Sequence, residues 1–196
     1  MTSNELKRAK RAVRRRVLSA RDALSAAELA AAGESIADEI GSMPEVRPGA
    51  NVLSFWAFGS EVPTSPIHRR LWAGGVTVAL PRIVEGDLRV LLYREGDPLT
   101  PTSFGAMEPS LDAERLDPAV LDVILTPGVA FDLTGRRVGY GGGFYDRLLP
   151  DAPGALRVGI AHDIQVVAEP LPAGHFDLLV HAICTPSGLR RLATPT

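Results

Sequence analysis

The glycine-rich stretch GYGGGFYDR, residues 139–147, contains the residue types of a phosphate site. Four of its first five residues are glycine. Because glycine loses more backbone freedom on folding than any other residue, such a cluster indicates a tight turn, a close packing contact or a ligand held against the backbone. Exposed backbone N–H groups can bind phosphate, and Arg147 can add a charged donor. Asp146 beside a phosphate requires an intervening cation, which indicates Mg²⁺.

Two common phosphate-binding motifs do not match this stretch. The Walker motif requires Lys and Ser or Thr after its last glycine, where this chain has Phe144 and Tyr145. The dinucleotide fingerprint requires a small residue at the position of Phe144. From the residues alone, a structural turn and a phosphate cradle are therefore both open.

The N-terminal segment supplies a second set of charges. The first twenty-one residues contain eight Lys or Arg residues and one acidic residue. With about 100° per residue, one face of a helix there is apolar and should be buried. Its members are Leu6, Ala9, Val13, Val17, Ala20 and Leu24. Lys10, Arg14 and Arg21 project along one edge of this face, whereas Arg8, Arg11 and Arg15 point away from it. We therefore expect the first three cations to lean over the body of the protein.

The composition bounds the class of protein that must position these groups. With 196 residues, 45% hydrophobic and 22% charged, the chain fits one soluble domain. Its apolar runs are too short to cross a membrane. Cys184 is the only cysteine, which excludes an internal disulfide and a cysteine-based zinc site. No secretory signal pattern is visible, so we expect a cytoplasmic protein without a membrane partner.

The hydrophobic pattern predicts alternating helices and strands. A helix to about residue 24 is followed by one that starts at the capping box Ser25–Glu28 and ends at Gly41, and by a third over 65–75 capped by Ser65. Strands are predicted at 51–58, 76–80, 87–93, 121–127, 156–161 and 178–185. Residues 97–110 should form a loop, and the glycine stretch should lead into a helix. This order predicts an α/β fold with three layers (α/β/α), a mostly parallel central sheet and an N-terminal helical arm. We expect one domain, 1–196, in which helices 1–41 pack on the α/β body.

The segment PGVAFDLTGRRVGYGGGFYDRLL, residues 127–149, resembles the signature of the 5-formyltetrahydrofolate cyclo-ligases, also called methenyltetrahydrofolate synthetases. The resemblance covers nearly the whole chain. Its other parts are Lys10, Val13, Arg14 and Arg21, GSEVPTSPI at 59–67, ALPRI at 79–83, FGAMEP at 104–109 and IAHDIQVV at 160–167 with Gln165. The chain departs from the family pattern at Pro63, at Phe144 and at Phe176-Asp177.

This resemblance implies an ATP-dependent carbon–nitrogen ligase with Mg²⁺ as cofactor. Enzymes of this family convert 5-formyltetrahydrofolate to 5,10-methenyltetrahydrofolate and produce ADP and phosphate. A formamide oxygen is a poor leaving group, and its attack on the γ-phosphate of ATP would make it a good one. Catalysis then requires positioning and charge stabilisation more than a strong base.

The resemblance also implies roles for individual residues. Lys10 and Arg147 would be catalytic, and Asp146 would hold the metal. The implied ATP-binding residues are Lys10, Arg14, Gly139, Tyr140, Gly141, Gly142, Gly143, Phe144, Tyr145, Asp146 and Arg147. The implied substrate-binding residues are Phe55, Glu61, Glu108 and Tyr145, with Trp56 or Phe104 as further aromatic surface. We expect a monomer that binds 5-formyltetrahydrofolate and ATP.

Other interpretations of the same residues are open. Glu61 could be an ordinary loop carboxylate, and Asp146 could accept from a helix N-terminus with no metal present. Only one of Phe55 and Trp56 should face a given side of a strand. A nucleic-acid-binding module could use the basic first helix, although the sequence pI of about 6.1 argues against it. A sugar-phosphate isomerase could use the glycine stretch without ATP.

Overall fold

The structure is a computed structural model that describes residues 2–102 and 105–193. Its α-helices are α1 (Ser3–Arg21), α2 (Ala26–Gly41), α3 (Ser65–Ala73) and α4 (Phe144–Leu148). Its strands are β1 (Asn51–Leu53), β2 (Thr77–Val84), β3 (Asp87–Leu92), β4 (Leu99–Pro101), β5 (Met107–Pro109), β6 (Val123–Thr126), β7 (Ala130–Asp132), β8 (Arg137–Val138), β9 (Leu156–Ile160), β10 (Val166–Val167), β11 (Ala182–Thr185) and β12 (Gly188–Arg191). In these ranges no helix has the length and apolar character needed to cross a membrane.

The central sheet has seven strands in the order β12-β11-β9-β6-β1-β2-β3. The five inner strands pair in parallel, and the edge strands β12 and β3 pair antiparallel. Neighbouring strand residues face opposite sides: Val52 packs with α2 and α3, whereas Leu53 packs with α4. The predicted α/β fold with helices on both faces of a mostly parallel sheet is confirmed.

A smaller sheet supports the first helix. Strands β10, β7 and β8 form this sheet, and Val17 of α1 packs against Val129, Ala130 and Val138. The helix therefore crosses the body close to the glycine stretch that follows β8. Most of the predicted apolar face is buried or half-buried, but Ala20 is exposed.

The first strand is shorter than predicted. After Leu53 the backbone leaves the sheet because side chains replace the strand partners: Ala57 N donates to Thr64 Oγ1 at 3.1 Å and Phe58 N donates to Glu61 Oε2 at 3.0 Å. His68 of α3 contacts Ser54 Oγ with its Nε2 at 2.8 Å and anchors the start of this irregular segment. Burial lowers the pKa of His68 to about 4, so its ring is neutral near pH 7.

Other strands were missed or misplaced by the sequence pattern. Residues 97–110, predicted as a loop, contain the β4–β5 pair, and the region before the glycine stretch contains β7 and β8. The chain continues past β11 into β12, which the pattern did not show because its residues are half exposed. Ser65 is the first helical residue of α3, and Thr64 is its cap. The capping box at Ser25 and the turn at Glu85-Gly86 are confirmed.

Asp132 closes the β7–β8 turn with a dense set of hydrogen bonds. It is 1% exposed and accepts from Thr134 N at 2.8 Å, Thr134 Oγ1 at 2.6 Å, Arg136 N at 3.1 Å and Leu171 N at 2.7 Å. Burial by itself raises the pKa of Asp132, but these hydrogen bonds outweigh it, and the pKa lies below its ordinary value.

Replacing this carboxylate should destabilise the fold. We expect Asp132→Asn to lower the free energy of unfolding by about 2 kcal/mol near neutral pH, because the amide accepts fewer of these bonds. A carboxylate whose pKa is lowered by folding stabilises the folded state at pH values above its ordinary pKa of about 4. This stabilisation is lost as the pH falls through the folded-state pKa. Urea unfolding should therefore show that the difference in free energy of unfolding between wild type and Asp132→Asn narrows from neutral to acid pH. The exposed Asp112→Asn is the control. A difference that stays constant would contradict this explanation.

Candidate active site

A cavity of about 820 Å³ lies beside α1, the irregular segment after β1, the β4–β5 pair and the glycine stretch. Pro127 lines it directly after the carboxyl end of β6, and Phe55 lines it shortly after the end of β1. Ligands of open parallel sheets bind at these strand ends. The cavity is lined by the sequence-predicted residues Lys10, Arg14, Phe55, Trp56, Glu61, Glu108 and 139–146. Arg147 does not line it, and Phe104 lies outside the described residues.

The three cations on one edge of α1 all contact the body of the protein. Lys10 Nζ pairs with the Asp177 carboxylate, and Arg14 Nε donates to the Gly139 carbonyl at 2.6 Å. Arg21 is 3% exposed, and its Nη1 donates to the Tyr140 hydroxyl at 3.0 Å. Arg8, Arg11 and Arg15 are exposed. Helical periodicity thus separated the cations that contact the body from the exposed ones, although the exposed Arg11 also lines the cavity and Arg21 does not.

The glycine stretch adopts a backbone that only glycine accepts without strain. Gly141 has φ of +115° and Gly143 has φ of +66°. A Cβ added at Gly142 would lie 2.5 Å from the Phe144 ring. No described residue accepts a hydrogen bond from the N–H groups of Gly141, Gly142 or Gly143. These N–H groups are therefore free to bind an anion. Because α4 has only five residues, a helix dipole adds little to them.

The left-handed conformation at Gly143 can be tested by substitution. We expect Gly143→Ala to lower the free energy of unfolding by about 1 kcal/mol more than Gly154→Ala, because Ala is strained at positive φ. Gly154 is a matched control, since a Cβ there meets open space and its φ is not in the left-handed region. Both changes restrict the unfolded chain equally, so their difference reports the strain at Gly143 together with the approach of the new Cβ to 3.2 Å from Arg147 Nη1. Equal urea midpoints for the two variants would contradict the assignment.

Asp146 is held by a buried arginine that sequence reasoning missed. Its Oδ1 accepts from Arg137 Nη2 at 3.0 Å and from Leu178 N at 3.2 Å. The Arg137 side chain is 6% exposed, donates to the Pro127 carbonyl at 3.2 Å and lies over the Tyr145 ring at 5.6 Å. The sequence signal that could have found Arg137 is its place two residues before the first glycine.

Arg147 stabilises the glycine stretch from outside the cavity. Its Nη1 donates to the Gly142 carbonyl at 3.0 Å, and its Nη2 donates to the Gly86 carbonyl at 2.7 Å. Its Nε pairs with Asp87 at 3.0 Å. These contacts join the glycine stretch to the β2–β3 turn and direct the guanidinium away from the cavity.

Glu61 is a buried carboxylate at the cavity wall. It is 6% exposed, and its Oε1 accepts from the Tyr140 hydroxyl at 2.7 Å while its Oε2 accepts from Phe58 N. Burial raises the pKa of Glu61 above its ordinary value. A buried carboxylate with few donors can accept further hydrogen bonds from a ligand.

Aromatic and apolar surfaces complete the cavity. Phe55 and Trp56 both line it, although strand alternation predicted only one, because the backbone leaves the strand before them. Tyr145 is 9% exposed, its hydroxyl has no hydrogen-bond partner among the described residues, and burial raises its pKa above the usual range. Glu108 of β5 accepts from Ile83 N at 3.0 Å, which fixes its carboxylate at the rim.

The metal-binding capacity of the site is limited to few protein ligands. The described part of the chain contains no group of three or more His, Cys, Asp or Glu side chains arranged to hold a metal. Asp146 would be a single carboxylate ligand. Mg²⁺ bound with a nucleotide fits this arrangement, because it takes one or two carboxylates and fills its other positions with phosphate and water.

Comparison with known proteins decides the family. The sequence model of the 5-formyltetrahydrofolate cyclo-ligase family matches residues 6–186. The chain belongs to this family. A 5-formyltetrahydrofolate cyclo-ligase of Escherichia coli (strain K12) is 38% identical over 161 residues, which cover 79% of this chain and 88% of that relative. A cyclo-ligase of Haemophilus influenzae is 33% identical and covers 85% of this chain and 91% of the relative.

Solved structures agree with this assignment. A 5,10-methenyltetrahydrofolate synthetase of Aquifex aeolicus superimposes with a TM-score of 0.80 at 32% identity and covers 95% of this chain and 94% of its own. The corresponding enzyme of Mycoplasma pneumoniae has a TM-score of 0.73 at 20% identity, covers 90% and 98%, and supports the fold. The family resemblance seen in the sequence, and with it the enzyme class, is confirmed.

Proposed function

We propose that this cyclo-ligase converts 5-formyltetrahydrofolate and ATP to 5,10-methenyltetrahydrofolate, ADP and phosphate in the cavity described above. The observation that supports this most is the convergence of four α1 cations, Lys10 and Arg14 among them, and three free glycine N–H groups on a cavity that also contains Glu61 and an aromatic surface. The cations and glycine N–H groups suit a triphosphate. Glu61 and the aromatic surface suit a flat heterocycle with N–H donors.

The proposed reaction has two steps. The formyl oxygen bonds to the γ-phosphorus of ATP, and the bond from that phosphorus to the bridging oxygen breaks to release ADP. The neighbouring folate nitrogen then attacks the activated carbon, the carbon–oxygen bond breaks with phosphate as the leaving group, and the nitrogen loses its proton. No covalent bond to the protein is required, so the chain acts by positioning and charge stabilisation.

The phosphate subsite consists of α1 and the glycine stretch. Lys10 and Arg14 balance the triphosphate charge, and the N–H groups of 141–144 bind its oxygens. In the structure Lys10 pairs with Asp177, so the phosphates compete with this carboxylate for the ammonium. Lys10 supplies the catalytic charge at the transferred phosphoryl group. Arg147 acts indirectly: its hydrogen bond to the Gly142 carbonyl holds the glycine stretch in place.

Asp146 is the residue that would hold Mg²⁺. Its Oδ1 is oriented by Arg137 and Leu178 N, and a carboxylate has room for further ligands. The bound ion would neutralise charge that develops on the phosphoryl oxygens. Arg137 fixes the Asp146 carboxylate at the cavity wall whether or not the ion is present.

The folate subsite is the wall formed by Glu61, Phe55, Tyr145 and Glu108. Glu61 accepts hydrogen bonds from the N–H groups of the pterin, and Phe55 and Tyr145 contact its ring system. Glu108 lies at the rim, where it can contact the more polar parts of the substrate. We further propose that residues 1–196 act as a single domain, a cytoplasmic monomer that requires no nucleic acid or membrane.

An absorbance assay of the methenyl product tests the proposed function. Purified protein with Mg²⁺ and 5-formyltetrahydrofolate should form product when ATP is present and none when ATP is omitted. Product without ATP, or no product in either cuvette from folded protein, would contradict the proposal. A sugar-phosphate isomerase would form no methenyl product in either cuvette. A nucleic-acid-binding module would bind an oligonucleotide with strong salt dependence.

A further inference from the structure

The Tyr140 hydroxyl lies between a buried cation and a buried carboxylate. Arg21 Nη1 is 3.0 Å from this hydroxyl, and Glu61 Oε1 is 2.7 Å from it. A guanidinium can only donate, so Tyr140 accepts from Arg21 and directs its own hydrogen to Glu61. The direction of both hydrogen bonds is therefore fixed by chemistry.

The same network joins α1 to the irregular segment after β1. Arg21 Nε donates to Ser60 Oγ at 2.9 Å, and Ser60 in turn bonds to Asp22. Ser60 directly precedes Glu61, so α1 and the irregular segment are joined on both sides of the carboxylate. The Tyr140 ring lies 5.3 Å from the Phe58 ring, which belongs to the same segment. Tyr140 thus contacts the folate wall with its side chain and the phosphate subsite with its backbone.

We infer that Tyr140 is a positioning residue for the folate half of the reaction, whose hydroxyl orients Glu61 and transmits the charge of Arg21 to it. Both Glu61 oxygens accept hydrogen bonds, Oε1 from the Tyr140 hydroxyl and Oε2 from Phe58 N, and their remaining lone pairs are available to substrate N–H groups. This inference rests on the proposed function and adds a residue that determines folate affinity.

The charged and titratable groups around Glu61 come from four parts of the chain. Arg21 on α1 and the Tyr140 hydroxyl favour its ionised form, whereas burial opposes it. Burial raises the pKa of the Tyr145 hydroxyl on α4, and the Glu61 charge adds to this shift. His162 lies near Arg21, and burial and this cation lower its pKa. Removal of the Tyr140 hydroxyl leaves every charge in place and takes away a direct hydrogen bond to Glu61.

Tyr140→Phe isolates the hydroxyl, because the backbone and the ring remain. We expect the KM for 5-formyltetrahydrofolate to rise roughly tenfold, the usual effect of losing a hydrogen bond to a charged group. The KM for ATP should change less than about twofold, since the substitution leaves the backbone N–H groups of 141–144, which bind the phosphates, in place. Tyr93→Phe is the matched control, because its ring lies beside Trp56 outside the cavity and Phe keeps that ring.

The pH profile separates positioning from a structural role. Hydrogen bonding from Tyr140 lowers the Glu61 pKa, so its loss should raise that pKa further. If ionised Glu61 binds the folate, the acid limb of kcat/KM for the folate should move to higher pH by roughly one unit.

The outcomes distinguish this inference from the proposed function. A folate KM and an acid limb that both stay at wild-type values, in an otherwise active enzyme, would overturn the inference and leave the cyclo-ligase activity standing. Equal rises of both KM values with a lowered Tm would also overturn it, because they would indicate a structural role. Absence of cyclisation in the wild-type protein would contradict the proposed function itself.

Discussion

Lys10→Ala should lower kcat/KM for ATP by about a hundredfold while the protein remains folded. The side chain is half-buried at the cavity, and its ammonium is available to the triphosphate once Asp177 is displaced. A charge-assisted bond to a phosphoryl group has an effect of this size on the transition state. The measurement is the absorbance assay at varied ATP with saturating 5-formyltetrahydrofolate.

Arg15→Ala provides the control for this prediction. It removes the same charge from the same helix, but Arg15 is exposed and does not line the cavity. We expect its kcat/KM for ATP to remain within about twofold of wild type, because exposed charges are screened by solvent. Equal losses in the two variants would mean that the general charge of α1 matters, as a nucleic-acid-binding module would require.

Glu61→Gln should lower kcat/KM for 5-formyltetrahydrofolate by a factor of about 100 or more. The amide keeps the shape of the side chain but turns one acceptor into a donor. That donor faces either the Tyr140 hydroxyl or Phe58 N–H, both of which donate to Glu61 in the structure. The substrate then loses its acceptor, and a buried polar group is left without a partner.

The KM for ATP separates this prediction from a general loss of activity. It should stay near the wild-type value in Glu61→Gln, because Glu61 lies in the folate wall. Glu34→Gln, on the exposed surface of α2, should have wild-type kinetics. A Glu61→Gln variant with unchanged folate kinetics would assign Glu61 to the ordinary loop carboxylate that the sequence also allowed.

The sequence predicted those parts of the fold that depend on local periodicity. The α1 cations that contact the body were distinguished from the exposed ones because a helix places Lys10 and Arg14 on one edge. The inner strands, such as β6, were found because strands buried on both faces are continuously apolar. The segment after Leu53 was misjudged, because its backbone bonds go to the side chains of Thr64 and Glu61, which no periodicity reveals.

The contacts inside the candidate site depend on residues far apart in the chain. The Lys10–Asp177 pair joins positions 167 residues apart, and the Tyr140–Glu61 bond joins positions 79 apart. Neither partner can be identified from spacing. For the same reason the sequence did not reveal the role of Arg137. It also predicted Arg147 at the phosphate site, whereas the Arg147 contacts with Gly86 and Gly142 depend on the docking of the β2–β3 turn.

The fate of the formyl oxygen tests the central claim most directly. 5-Formyltetrahydrofolate labelled with ¹⁸O in the formyl group should be turned over with unlabelled ATP, and the released phosphate analysed by mass spectrometry. If the formyl oxygen attacks the γ-phosphate, each phosphate will contain one ¹⁸O atom. Phosphate without label, with the ¹⁸O recovered in water, would contradict phosphorylation of the formyl oxygen and require ATP to act in another way.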